Sequence, residues 1–206
     1  MCETLLTDMT PHPSNTRAKC AATAEKYGNL DTWFGLEQEY TFFEGNSPLG
    51  WPDNGFPAPQ GGYYCGVGSD EIFGREVVNA HLDACIEAGL HISGINAEVM
   101  PGQWEFQIGP VAAPLIGDEM WLARWLLYRI AEDYLGPKGI PISATLDPKP
   151  VAGDWNGAGC HTNFSTNEMR ESFDKCVEAA ESLGAPGKPE LHIANYGPGV
   201  ELRLTG

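Results

Sequence analysis

Glu37 and Glu39 stand one residue apart in "GLEQEY" (35–40), within a run of large apolar and aromatic residues: Trp33, Phe34, Leu36, Tyr40, Phe42 and Phe43. That composition suits a pleated, half-buried strand. Alternation along such a strand projects both carboxylates from one face, ~7 Å apart, and sends Leu36, Gln38, Tyr40 and Phe42 to the other. Like charges so placed raise each other's pKa unless a cation lies beside them. A solvated face on an exposed strand is the plain alternative. A second pair occurs in "NAEVMPGQWEFQIGP" (96–110), which reads as two short strands about Pro101-Gly102, a dipeptide suited to a type II turn. With those residues at the turn centre, Met100 faces Gln103, Val99 faces Trp104 and Glu98 faces Glu105, about 5 Å apart, where like charges are unfavourable. A one-residue slip would send Glu98 and Glu105 to opposite faces. In "GDWNGAGCHTNFS" (153–165), three glycines and Asn156 let the backbone bend closely, and the alternation that follows puts His161, Asn163 and Ser165 on one face.

Carboxylate oxygens with one imidazole suit Mg²⁺ or Mn²⁺ better than a structural zinc. Two such ions would give an acidic protein the local positive charge needed to bind ATP and an amino-acid carboxylate. The chain is acidic: 206 residues carry a formal net charge of −16, and 42% are hydrophobic. A disordered chain is thereby excluded, and nucleic acid or an anionic membrane is disfavoured as a partner, since both require clustered Lys and Arg. Six cysteines (Cys2, Cys20, Cys65, Cys85, Cys160, Cys176) form no CxxC, and no secretory signal opens the sequence, so a reducing cytoplasm is expected. The most apolar helical stretch, "WLARWLLYRIA", is interrupted by Arg124 and Arg129, and no segment is expected to span a membrane.

The elements that must position these residues are readable from periodicity. Residues 1–30 suggest a strand end, a joint at Pro11 and Pro13, and a short polar helix through "RAKCAATAEKYG". Residues 45–62 are dense in Gly, Pro and Asn and predict a long loop. A helix is expected from the capping residues Ser69 and Asp70 to Gly89, with Ile72, Val78, Leu82, Cys85 and Ile86 on its apolar face. Two more are expected, one capped by Asp118, the other opened by a capping box at Ser165 and Glu168 and closed near Gly184. Strand-like hairpins lie between them. The pattern predicts an α+β fold with an antiparallel sheet, in place of the alternation of a dinucleotide-binding fold.

Taken together, "WFGLEQEYTFF", "GGYYCGVGSDEIFGREVVNAHLDACIEAGL", "SGINAEVMPGQWEFQIGP", "SATLDPKPVAGDWNGAGCHTNFST" and "RLTG" closely resemble the motifs of glutamine synthetases of the eukaryotic-like type, which also occurs in bacteria. The resemblance runs through essentially the whole chain. It implies a curved antiparallel sheet flanked by helices, with residues 13–206 a truncated catalytic domain and 1–12 the remnant of an N-terminal β-grasp domain. It implies that Glu37 and His161 hold a metal ion on the ATP side, and that Glu39, Glu98 and Glu105 hold another on the glutamate side. Asn156 and Gly157 would contact substrate glutamate, Arg203 its carboxylate, and Trp33, Pro110, Asn163 and Ser165 would line the nucleotide pocket. Glu39, Glu105 and Arg203 would be the catalytic set. The implied reaction is ATP-dependent ligation of ammonia to glutamate through γ-glutamyl phosphate, with two or more Mg²⁺ or Mn²⁺, in a homo-oligomeric ring whose active sites lie between subunits. A γ-glutamyl-amine ligase or a non-catalytic structural relative would fit the same motifs, although the five expected metal ligands are all present. Relative to the family the chain stops before the glutamate-bearing flap, and a few residues are inserted near "YLGPKGIPIS" (134–143). An internal fragment, inactive alone, is therefore expected.

Overall fold

The computed structural model describes residues 2–183 and the backbone of two further strands, 192–194 and 200–203. In chain order the elements are α1 (Thr16–Lys26), β1 (Trp33–Glu44), β2 (Ser47–Pro48), α2 (Arg75–Glu87), β3 (Ile92–Ala97), β4 (Gln103–Val111), α3 (Leu115–Ala131), β5 (Ile142–Thr145), β6 (Cys160–Ser165), α4 (Asn167–Glu171), α5 (Phe173–Leu183), β7 (His192–Ala194) and β8 (Val200–Arg203). The strands form one antiparallel sheet, curled as a half-barrel, in the order β3-β4-β1-β6-β8-β7. β2 and β5 pair with the far end of β1.

β1 is the axis of the molecule. Its aromatic-rich sequence supports a strand long enough to hydrogen-bond β4 along one edge and β6 along the other. Tyr40 and Phe42 on one face, with Trp104, Phe106 and Ile108 of β4, meet Val77, Val78 and Cys85 of α2 and Met120, Ala123 and Leu127 of α3. This is the main core. Full burial of each large side chain contributes roughly 1.5–3 kcal/mol. The opposite face of the same strands is left for Glu37, Glu39 and Glu105.

Several element boundaries differ from the sequence expectation. Helix α2 begins at Arg75, after Gly74, and not at Ser69 and Asp70, which lie in a preceding turn. Gly74 takes φ +90, and a Cβ there would meet the Phe42 ring at 2.8 Å, so close packing of the helix entrance on β1 fixes the start. On α2, Val77 and His81 are buried while Ile86 is exposed, and Ile72 reaches the core from outside the helix. Asp118 lies inside the first turn of α3 and caps nothing. Its carboxylate accepts two 2.8 Å bonds from Arg17, tying α1 to α3 and holding Asp118 below the ordinary carboxylate pKa. Ser165 ends β6, and Thr166 is the N-cap, its hydroxyl accepting from Met169 N. The helix expected beyond it is two, α4 and α5, separated at Ser172, whose backbone is extended. Residues 2–12 carry one bridge, Leu5 to Pro11, and form a turn in place of the expected strand end. All six cysteines are free thiols. Among the described residues, no helix is long and apolar enough to cross a membrane.

Candidate functional site

Sheet register gathers the sequence-expected residues on one face. Across β1 and β4, Glu39 lies opposite Glu105 and Glu37 opposite Gln107. Across β1 and β6, Glu37 lies opposite His161, Gly35 opposite Asn163 and Trp33 opposite Ser165. Directly opposed residues share a face.

The hairpin carrying Glu98 turns as expected and pairs differently. Pro101 and Gly102 sit at the turn centre, with Gln103 N donating to Met100 O at 3.0 Å. Beyond the turn the register is displaced by two: Asn96, and not Glu98, faces Glu105, and Ala97 faces Trp104. The cause is the Gln103 side chain. Its Oε1 accepts from Met100 N at 3.3 Å, leaving Gln103 O to accept from Glu98 N at 2.9 Å. A displacement of two preserves side-chain direction, whereas one would have reversed it.

Glu98 therefore still reaches the cluster. Glu39, Glu98 and Glu105 each bring a carboxylate oxygen within 4.8 Å of the others, and one oxygen each from Glu37 and Glu105 lies equally close to a ring nitrogen of His161. Glu105 belongs to both groups, whereas the sequence assigned it to the first alone. His161 Nδ1 lies 3.6 Å from Glu37 and its Nε2 4.0 Å from Glu39. Burial is the largest cause of the shift that carries Glu98 and Glu105 up to about 7, and neighbouring carboxylates add to it. Polar neighbours hold the carboxylates in place. Glu39 accepts from Gly159 N (2.8 Å), Glu37 from Asn163 Nδ2 (2.5 Å), and Glu98 from Asn96 Nδ2 (3.1 Å) and Val99 N (3.2 Å). The Gln107 amide donates to Glu105 and, at 2.7 Å, to Asn96 Oδ1. Buried acidic oxygens, one imidazole and no thiolate are a donor set for hard divalent cations, and the raised carboxylate pKa values are what such a cation would relieve.

Beside Glu37 opens a cleft of about 320 Å³. Trp33, Pro110, Asn163 and Ser165, the four expected to meet a nucleotide, all line it. Arg170 was not singled out from the sequence. Its guanidinium lies 4.1 Å over the Trp33 ring and donates to Ser165 Oγ at 3.0 Å and to Asp31. Asn156 and Gly157 lie on the loop before β6 and are held by two glutamines also missed in the sequence, Gln60 and Gln103. Polar residues in a loop and a strand carry no periodic signal to mark them. Arg203 ends β8, opposite His192, and its side chain lies outside the described residues.

The sequence pattern described as "Glutamine synthetase, catalytic domain" matches residues 12–181. The chain is 64% identical over 206 residues to a glutamine synthetase of Streptomyces viridochromogenes, covering all of this chain and 58% of that one. It is 57% identical over 207 residues to one from Streptomyces hygroscopicus, covering 59% of that chain, and 54% identical over 201 residues to one from Colletotrichum gloeosporioides, covering 54% of it. Among solved structures, "Crystal structure of novel glutamine synthase homolog" aligns with a TM-score of 0.58 at 20% identity, over 80% of this chain and 34% of that one. That structural likeness speaks to the fold alone. The chain spans a little over half the length of the curated relatives it matches.

Proposed function

We propose, from the premise that this chain belongs to the glutamine synthetase catalytic-domain family, that the whole protein ligates ammonia to L-glutamate at the expense of ATP. The observation that carries this reading is the convergence of two ligand groups on one sheet face, sharing Glu105, with Glu37 of one group also lining the Trp33 cleft. Glu37 and His161, with Glu105 in reach, would hold one divalent ion, and Glu39, Glu98 and Glu105 the other. When bound, Mg²⁺ or Mn²⁺ would neutralise phosphate and carboxylate charge.

The chain's own residues bind and orient. Trp33 and Pro110 offer apolar surface to an adenine base, while Asn163 and Ser165 offer polar atoms at the rim of the same cleft. Asn156 and Gly157 meet the substrate glutamate, with Arg203 taking its carboxylate. Held in line, the substrate γ-carboxylate attacks the γ-phosphoryl group of ATP, whose bond to the β-phosphate breaks to release ADP, and ammonia then displaces phosphate from γ-glutamyl phosphate with loss of a proton. Positioning and a preset charge environment do most of the work in such a transfer. Residues 1–12 would belong to a preceding domain, and the complete protein would form a ring with sites between subunits.

The test is a product assay on the full-length protein with glutamate, ammonium, ATP and Mg²⁺, in which glutamine is measured chromatographically. Glutamine formation that falls at least about a hundredfold in Glu39→Gln supports the reading, as the loss of one key electrostatic group commonly costs 10²–10³ in rate. Preference for an organic amine over ammonia, or turnover indifferent to Glu39, overturns it.

A further inference from the structure

We infer that Gln103 and Gln60 are positioning residues for the substrate-glutamate loop, clamping Asn156 and Gly157 between the core and the outer loop. The inference rests on the proposed reading of Asn156 and Gly157 as glutamate contacts. Gln103 is 1% exposed, and its amide makes three hydrogen bonds. Its Nε2 donates to Gly157 O at 2.7 Å, and its Oε1 accepts from Asn156 Nδ2 at 3.0 Å and from Met100 N at 3.3 Å. Gly157 O can only accept and Met100 N can only donate, so this pairing fixes which way the Gln103 amide lies. The Asn156 amide is oriented in turn: with Nδ2 given to Gln103, Oδ1 is the atom with which Asn156 can meet a ligand's ammonium group.

From the outer side, Gln60 Oε1 accepts from Asn156 N at 2.8 Å. Asn156 is thus pinned by backbone and side chain from two different segments. The inner tether has a second consequence. Because Gln103 intercepts Met100 N, it also sets the hairpin register that brings Glu98 to the carboxylate cluster. One buried amide therefore holds the loop read as contacting glutamate and the hairpin that carries two of the acidic residues. Within that loop, Pro148 O stands 3.0 Å from where a Cβ on Gly157 would lie, so the position has little room for a side chain.

The experiment measures glutamate affinity by calorimetry, and KM for glutamate and for ATP, in the full-length protein and its variants. Gln103→Leu keeps the volume and leaves Asn156 Nδ2, Met100 N and Gly157 O unpaired. It should raise glutamate Kd and KM about ten- to a hundredfold, in line with the cost of unpaired buried polar groups, with ATP KM within about twofold. Gln60 is only half-buried, so Gln60→Ala keeps the fold and should raise glutamate KM about three- to tenfold, again without moving ATP KM. If Gln103→Leu does not fold, Gln60→Ala decides the matter alone. Unchanged glutamate affinity in the folded variants overturns the positioning role and leaves the proposed function standing. Equal worsening of glutamate and ATP also overturns it, since that is the signature of general damage. A wild-type protein that binds no glutamate overturns the functional reading and this inference with it.

Discussion

At the scale of single residues, the site is defined by what it costs to keep carboxylates together. Glu98 and Glu105 ordinarily titrate near 4.5, and burial with neighbouring carboxylates carries both up to about 7. Between those values the native chain holds more protons than the unfolded one, so metal-free stability falls as pH rises from about 4.5 to about 7 and levels off above. A divalent cation competes with those protons. At a hundredfold excess over Kd, one bound ion adds about 2.7 kcal/mol, or roughly 5–10 °C in Tm for a domain of this size. Scanning calorimetry of the full-length protein should therefore show the Mg²⁺ or Mn²⁺ shift in full at pH 8 and nearly absent at pH 5. Equal shifts at both pH values would count against cation binding at these glutamates. His161 is argued in the same terms. With its ring nitrogens beside Glu37 and Glu39, His161→Ala should weaken metal affinity at least about tenfold while Tm without metal stays put. A titration with Mn²⁺ reads this directly, and an unchanged affinity would make His161 structural only. These acidic residues were legible from the sequence because strand alternation depends on residue number alone. Gln60, Gln103 and Arg170 were not, since their roles arise from contacts between distant segments.

At the scale of elements, the hairpin between β3 and β4 shows how a correct turn can carry an unexpected register. Gly102 holds φ +78 at the turn centre, and a Cβ there would stand 2.5 Å from Leu49 O. The backbone atom cannot yield as a side chain would. Gly102→Ala should cost about 1–3 kcal/mol from the left-handed conformation, with more from the clash. It should also displace Glu98, lowering Mg²⁺ affinity as well as the urea midpoint. A folded Gly102→Ala protein with native metal affinity would show that the turn does not position Glu98. The Pro-Gly turn was readable from its residue types. The displacement by two was not, because it depends on a buried side-chain amide taking a backbone N–H from the ladder. Helix starts failed for a related reason. Ser69, Asp70 and Asp118 are good capping types, yet packing of Gly74 on Phe42 and the Arg17–Asp118 pair decided the outcome. Even numbers of β1 toward helices and odd numbers toward the site was the part of the fold that sequence could state, and it organises the rest.

At the scale of the whole molecule, what matters is how much of a catalytic cycle 206 residues can support. The chain equals 58% of the length of the Streptomyces viridochromogenes relative it matches, and the proposed chemistry passes through an acyl phosphate that water would hydrolyse. The described cleft and carboxylate groups lie on a sheet face. On one face of α3, Trp121, Trp125 and Tyr128 are 60%, 57% and 44% exposed, a stripe of apolar surface that favours self-association. The 206-residue chain, expressed by itself, is therefore expected to make glutamine at no more than background rate and to elute as aggregates rather than as a ring of defined size. Glutamate, ammonium, ATP and Mg²⁺ would be supplied in excess, glutamine followed chromatographically, and size read by light scattering. The full-length protein, run beside it, should turn over under identical conditions. Robust turnover by the 206 residues, lost in Glu39→Ala, would show that the carboxylate groups and the Trp33 cleft suffice for catalysis, and that water exclusion by further chain is not required.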